Sequence, residues 1–273
     1  MFRQALALTA GLALTGTAHA AVVFSDDFED GSLSEYNVFG ATLANPNERA
    51  GIINESDDPS NQVLELVNFN GADQSRLNLT SVDTFSVTTE SVVTITADYL
   101  AGEAFNDLST GNNTLRLGVV RDPGDGTNIG NRVDFAFLRT GGGTPRIELN
   151  AQANPPFTVL LNNTTVTDGG GNVAPADGQL VFVLDLFNQE VSVSFDGVEY
   201  TGSFTKDIIT DLGGTDSFRA YISQDQVGNN AAFTRGTAID NLSVDVTPIP
   251  EPGSLALFGL GALTVLRRGG HRD

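Results

Sequence analysis

The stretch Phe182-Val-Leu-Asp-Leu-Phe-Asn-Gln-Glu-Val-Ser-Val-Ser-Phe-Asp-Gly197 decides how the chain folds. Val191, Val193 and Phe195 alternate with serines, which is the period of a strand with one buried face. Leu180–Phe187 before them is a second apolar run, and Asp185 to Glu190 carries the polar residues of a short hairpin loop. Asp196-Gly197 then marks another tight turn. Working outward, the same reading gives strands at Val22–Phe24, Tyr36–Phe39, Gln62–Val67, Ser75–Thr80, Ser91–Leu100 and Thr114–Arg121. Further runs follow at Arg132–Arg139, Arg146–Leu149, Phe157–Leu161, Phe218–Ser223 and Ala238–Val246. Only Phe204–Leu212 suits a helical turn. So many short strands, punctuated by Gly, Asn, Asp and Pro, imply an all-β, two-sheet antiparallel sandwich over residues 21–246.

Composition removes whole classes of chemistry. The chain has no Cys and no Trp, and its two histidines, His19 and His271, lie outside the sandwich. Ser-His-Asp triads, Cys-His pairs and ordinary zinc sites are therefore unavailable to that domain. A net charge of −20 disfavours a phosphate backbone, so nucleic acid is no partner. Four of the 14 basic residues (Arg3, Arg267, Arg268 and Arg272) sit in the terminal segments, which leaves the sandwich more acidic still.

Both ends read as targeting segments. Arg3, the apolar run Ala5 to Leu14 and Ala18-His19-Ala20 have the order of a signal peptide over residues 1–20. Signal peptidase, reading Ala18 and Ala20, is expected to leave Ala21 as the new N-terminus. At the other end, residues 247–273 hold Pro250-Glu251-Pro252, an uncharged run from Gly253 to Leu266, and then Arg267 and Arg268. The run is short for a bilayer, which suits transient insertion with the arginines on the cytoplasmic side. This tail resembles the PEP-CTERM sorting signal of Gram-negative bacteria. The resemblance implies processing by an exosortase-like enzyme, traffic alongside extracellular polysaccharide, and residence in the cell envelope, outer surface or extracellular matrix.

Phe24-Ser-Asp-Asp-Phe-Glu-Asp-Gly31, the hairpin quoted first and Ile239-Asp-Asn-Leu-Ser-Val244 resemble concanavalin-like and jelly-roll sandwiches, whose first and last strands lie together. Asp26, Asp27, Glu29 and Asp30 crowd behind the first strand, and Asp240 falls in phase with Leu242, Val244 and Val246 on an expected inward face. An inward carboxylate needs hydrogen bonds or a cation. Jelly-roll carbohydrate-binding modules often hold a structural calcium here, so the resemblance implies Ca²⁺ on Asp27, Glu29 and Asp240. The loop Arg121 to Asn128 lacks the ligand spacing of an EF-hand.

Paired carboxylates are the one catalytic chemistry the composition leaves easy. Glu55-Ser-Asp57-Asp58-Pro59 opens like a Glu-x-Asp-x-x-Glu glycosidase strand but runs into a Pro-Ser turn and lacks the second Glu. No catalytic residue is assigned. The sequence reads as an exported, non-catalytic surface or matrix protein associated with exopolysaccharide. The alternative is a carbohydrate-binding module, calcium-dependent, that stacks sugars on Tyr36, Tyr99, Tyr200 or Tyr221; a glycoside hydrolase stands behind both.

Overall fold

A computed structural model describes residues 20–39, 48–55, 57–68, 77–100, 113–121, 132–139, 146–150, 158–161, 165–167, 173–204, 217–224 and 237–249. Every regular element among them is a strand. The first seven are β1 (Ala21–Asp26), β2 (Tyr36–Phe39), β3 (Glu48–Asn54), β4 (Gln62–Asn68), β5 (Leu77–Ser81), β6 (Phe85–Ser86) and β7 (Ser91–Leu100). Next come β8 (Asn113–Arg121), β9 (Arg132–Arg139), β10 (Arg146–Asn150), β11 (Thr158–Leu160), β12 (Thr165–Thr167) and β13 (Val173–Pro175). The last are β14 (Gly178–Asp185), β15 (Glu190–Phe195), β16 (Val198–Ser203), β17 (Ser217–Gln224) and β18 (Thr237–Pro248).

The expected two-sheet sandwich is present. One sheet runs β16-β15-β14-β7-β18-β4-β3, with β1 added beside β18. The other runs β11-β10-β9-β8-β17-β5-β2, with β6 on β17, and β12 pairs β13 separately. Their inner faces interdigitate through aromatic rings: Phe135 stacks on Phe182 at 5.2 Å, Phe137 tilts on Phe195 at 5.3 Å, and Tyr99 meets Phe137 edge-on at 4.8 Å. Such pairs add attraction beyond the burial of their area.

The quoted hairpin forms as read. Asp185 pairs Glu190 across the loop, which carries Leu186 and Phe187 rather than continuing the strand. Asp196 and Gly197 both take positive φ (50° and 76°), the geometry of a two-residue hairpin turn that matches strand twist. Five strands (β3, β6, β12, β13 and β16) lie outside the thirteen expected. The helical turn expected after Phe204, the cleavage residue Ala18 and the tail from Pro250 onward lie outside the described residues. Among the described residues no helix is long and apolar enough to cross a membrane.

The terminal strands pair directly. β1 runs antiparallel to β18, from Ala21 opposite Val246 to Asp26 opposite Leu242. Ala21 and the end of β18 therefore lie at the same end of the β1–β18 ladder. On the other side of β18, beside β7, the Ile249 N–H donates to the Glu90 carbonyl at 2.7 Å.

Candidate functional site

Two places on the sandwich concentrate polar chemistry. The first is the junction expected from the sequence, where β1 and β4 meet the same side of β18. Asp26 to Asp30 form a chain of local turns, because an aspartate oxygen readily accepts the amide two residues on. Asp26 accepts from the Phe28 N–H at 2.7 Å, Asp27 from Glu29 at 3.2 Å and Asp30 from Ser32 at 2.8 Å. Phe28 itself takes a φ of 59° and turns its ring into the core, stacked 6.3 Å from Tyr36. Glu29 reaches across to accept the Gln62 N–H at 2.9 Å.

Asp240 is buried, but not on the inward face. Ile239 and Leu242 both enter the core, and a bulge between Asp240 and Ser243, with Asn241 at a φ of 49°, absorbs the extra residue. Asp240 therefore sits beside Asp98 on the outward face. A bulge breaks the two-residue period on which the sequence expectation rested. Its carboxylate accepts the Asn241 N–H at 2.7 Å, the Asn61 Nδ2 at 3.0 Å and the Asn241 Nδ2 at 3.2 Å. Burial, the largest influence, lifts the Asp240 carboxyl above its ordinary value; the Asn61 and Asn241 donors pull it back, and the charges of Asp98 and Glu29 add to the lift.

Of the three residues expected as calcium ligands, Glu29 and Asp240 share a neighbourhood, while exposed Asp27 spends an oxygen on its own turn. Among the described residues no group of three acidic side chains is arranged to hold a metal. A hollow of about 490 Å³ lies beside this junction, lined by Asp26, Asp27, Asp30, Glu35 and Asn241. Burial also lifts the Asp26 carboxyl, while a Phe28 amide and the Tyr36 hydroxyl oppose it. The Tyr36 hydroxyl is buried facing that carboxyl, yet completes no hydrogen bond of ordinary geometry.

The second place was not anticipated. Leu115, Leu117 and Val119 of β8 enter the core, so Arg116 and Gly118 face the opposite way, as do Asp134 of β9 and Tyr221 of β17. Register sets Asp134, Gly118 and Tyr221 side by side across three strands. Asp134 is wholly buried and held from both sides, by Arg116 Nη1 at 3.0 Å and by Arg132 Nε. The Arg132 guanidinium also lies 5.6 Å over the Tyr221 ring, whose hydroxyl donates to Asn78 Oδ1 at 2.9 Å. Gly118 permits this close approach: a Cβ there would stand 2.1 Å from the Val133 carbonyl oxygen. The available signal was a charged residue inside an otherwise apolar strand, as in Leu115-Arg116-Leu117 and Val133-Asp134-Phe135.

The four tyrosines do not form sugar platforms together. Tyr36 and Tyr99 belong to the core, Tyr200 packs against it, and only Tyr221 joins the second place. Glu55, Asp57, Asp58 and Pro59 lie on no strand, and Glu55 accepts from Asn61 Nδ2 at 3.0 Å.

Residues 248–272 match the PEP-CTERM protein-sorting motif. No curated protein matches the chain. Among solved structures, the endo-1,3-β-glucanase of Streptomyces sioyaensis aligns over 86% of this chain and 99% of its own, with TM-score 0.54 and 13% identity. Winged bean acidic lectin, complexed with methyl-α-D-galactose, aligns over 84% of this chain and 99% of its own, with TM-score 0.52 and 13% identity. Lectin II from Ulex europaeus gives TM-score 0.50 at 11% identity, over 84% and 100%. The body is thus a concanavalin-like sandwich. At such identities the likeness is one of fold.

Proposed function

We propose that this is an exported, non-catalytic surface protein, sorted through its tail, whose sandwich binds glycan in the surrounding exopolysaccharide. The observation that carries the reading is the PEP-CTERM match beginning at residue 248, where the last strand of a lectin-like sandwich ends. Signal peptidase and an exosortase-like enzyme are its processing partners, the Gram-negative envelope or matrix its destination. Pro250, Glu251 and Pro252 form the recognition motif, and Arg267 and Arg268 hold the tail end inside.

A non-catalytic role is supported by what the charged groups already do. Two-carboxylate glycoside hydrolysis needs a pair with one member free to give up a proton. On β8, β9 and β17, which carry the second place, the one carboxylate is Asp134, and it is clamped between two guanidiniums. Calcium on Asp27, Glu29 and Asp240 belongs to the proposal as a structural ion for the terminal junction.

A glycan array probed with and without chelator tests the reading. Binding in either condition supports it, with loss on chelation adding the ion; absence of binding in both removes the sandwich's proposed role.

A further inference from the structure

One strand edge is left open. β1 lies on the same side of β18 as β4, yet β4 is covered by β3 while no described strand covers β1. In an antiparallel pair, alternate residues turn their N–H and C=O away from the partner strand. β1 therefore presents such groups outward along its six residues, about 20 Å of edge.

A hollow of about 400 Å³ follows this edge, lined by all four of Val22, Val23, Phe24 and Ser25. Successive strand residues point to opposite faces, so a hollow reached by four in a row runs along the edge. Its far wall includes Glu35, Val82 and Asp83. That wall is fixed by the Val82 N–H donating to the Glu35 carbonyl at 2.7 Å and by Ser81 Oγ donating to the Asp83 carbonyl at 2.8 Å. Val22 and Val82, 61% and 44% exposed, are two of the four exposed large apolar side chains among the described residues. The 490 Å³ hollow beside the terminal junction adjoins this one, sharing Ser25 and Glu35. Asp26, Asp27, Asp30, Glu35 and Asp83 rim the two together, with no basic side chain among the described lining residues. Burial, and then the charges of Asp26, Asp30 and Asp83, lift the Glu35 carboxyl above its ordinary value, so these acids already repel one another.

We propose that β1 is a docking edge for an extended, basic segment of a partner polypeptide, which joins the sheet as an added strand. Backbone hydrogen bonds to β1 supply the affinity. Apolar side chains meeting Val22 and Val82, with Lys or Arg meeting the carboxylates, supply the choice of partner. A second copy of this chain suits the edge poorly, because it brings five more carboxylates to a rim without a cation. Docking here is independent of whether the sandwich binds glycan.

The test is fluorescence anisotropy of labelled octapeptides with the purified protein. One peptide alternates Val and Lys, and a second replaces each Lys by Glu. Two more are the Val-Lys peptide with one or the other alternate set of amides N-methylated, which keeps the charge and removes half the strand donors. The Val-Lys peptide is expected to bind, the Val-Glu peptide about tenfold or more weaker, and one N-methylated peptide weaker by a similar factor. Equal binding by Val-Glu, or undiminished binding by both N-methylated peptides, overturns the proposal. The double variant Glu35→Lys, Asp83→Lys should melt no lower than wild type, since both side chains are exposed and Glu35 is repelled by its neighbours. It should bind Val-Lys about tenfold more weakly, and unchanged binding overturns the proposal equally. Should that variant fail to fold, the four peptides decide the matter on wild-type protein. Absence of peptide binding also overturns it. A monomeric protein would then keep its carboxylates and the bulge between Val22 and Phe24 to hold the edge unpaired, and self-association in sedimentation would make a second copy the occupant.

Discussion

Replacing Phe28 probes packing and backbone strain at one position. Its ring is fully buried against Tyr36, and its φ of 59° lies where a side chain crowds the backbone. A buried Phe ring removes about 200 Å² from water, worth about 5 kcal/mol at about 25 cal/mol per Å². Measured truncations of this kind cost about 3–5 kcal/mol, a large share of the roughly 5–15 kcal/mol that stabilises a domain. Phe28→Ala should therefore lower the urea midpoint steeply without changing the slope. Phe28→Gly loses the same ring but also relieves a left-handed residue, worth about 1–2 kcal/mol. In a strand or helix Gly is the weaker residue by about 0.5–1 kcal/mol; here it should equal or exceed Ala. Urea unfolding of the three proteins, followed by tyrosine fluorescence, measures both differences. An alanine variant clearly more stable than the glycine one would refute the strain, and two near-native variants would refute the packing.

Gly118→Ala would set its Cβ 2.6 Å from the Asp134 Cα, against backbone that cannot swing aside, and should cost about 1–3 kcal/mol. Gly51→Ala, with nothing within 4 Å of its Cβ, is the control and should leave the thermal midpoint unmoved. Asp26, Glu35 and Asp240 hold their protons more tightly folded than unfolded, so stability should fall as pH climbs from the ordinary carboxylate value through the raised ones. Melting should thus occur higher at about pH 4.5 than at about pH 7.5, and the opposite order would show that other groups dominate. Calcium held on Asp27, Glu29 and Asp240 should raise the melting midpoint above that in chelator; equal midpoints would remove the ion and leave Asp240 to its amide donors. Ile249 is bonded into the fold one residue before Pro250, so a short Gly-Ser insertion between them should speed tail processing in pulse-chase; an unchanged rate would mean that the enzyme needs no slack.

The strands that the sequence displayed are those with a buried face and clean alternation, as in Val191-Ser-Val193-Ser-Phe195. Those it hid are short or lie at edges. β16 reads Val-Glu-Tyr-Thr-Gly-Ser, leaves Val198 43% exposed and needs little apolar signal to pair with β15. β3, with Gly51 between Ala50 and Ile52, is an edge strand as well. The neighbourhood of Glu29 and Asp240 was legible because DFEDG and IDNLSV flank the terminal strands. Asp240's direction was not, since one left-handed Asn241 flips the phase without altering composition. The arginine clamp was hidden for a different reason: Arg116 and Asp134 are 18 residues apart, and only register joins them.

The pairing of β1 with β18 also decides how the sandwich bears load. Tension applied between Ala21 and Pro248 would open the ladder one rung at a time, from Ala21 opposite Val246 down to Asp26 opposite Leu242. A seam pulled in that direction yields to a weaker force than one sheared along its length, because its bonds break in series. A chain tethered at both ends would strain its own edge with every displacement of the two anchors. Severing either tether relieves the seam at once, and a sandwich held by one end transmits no tension across it.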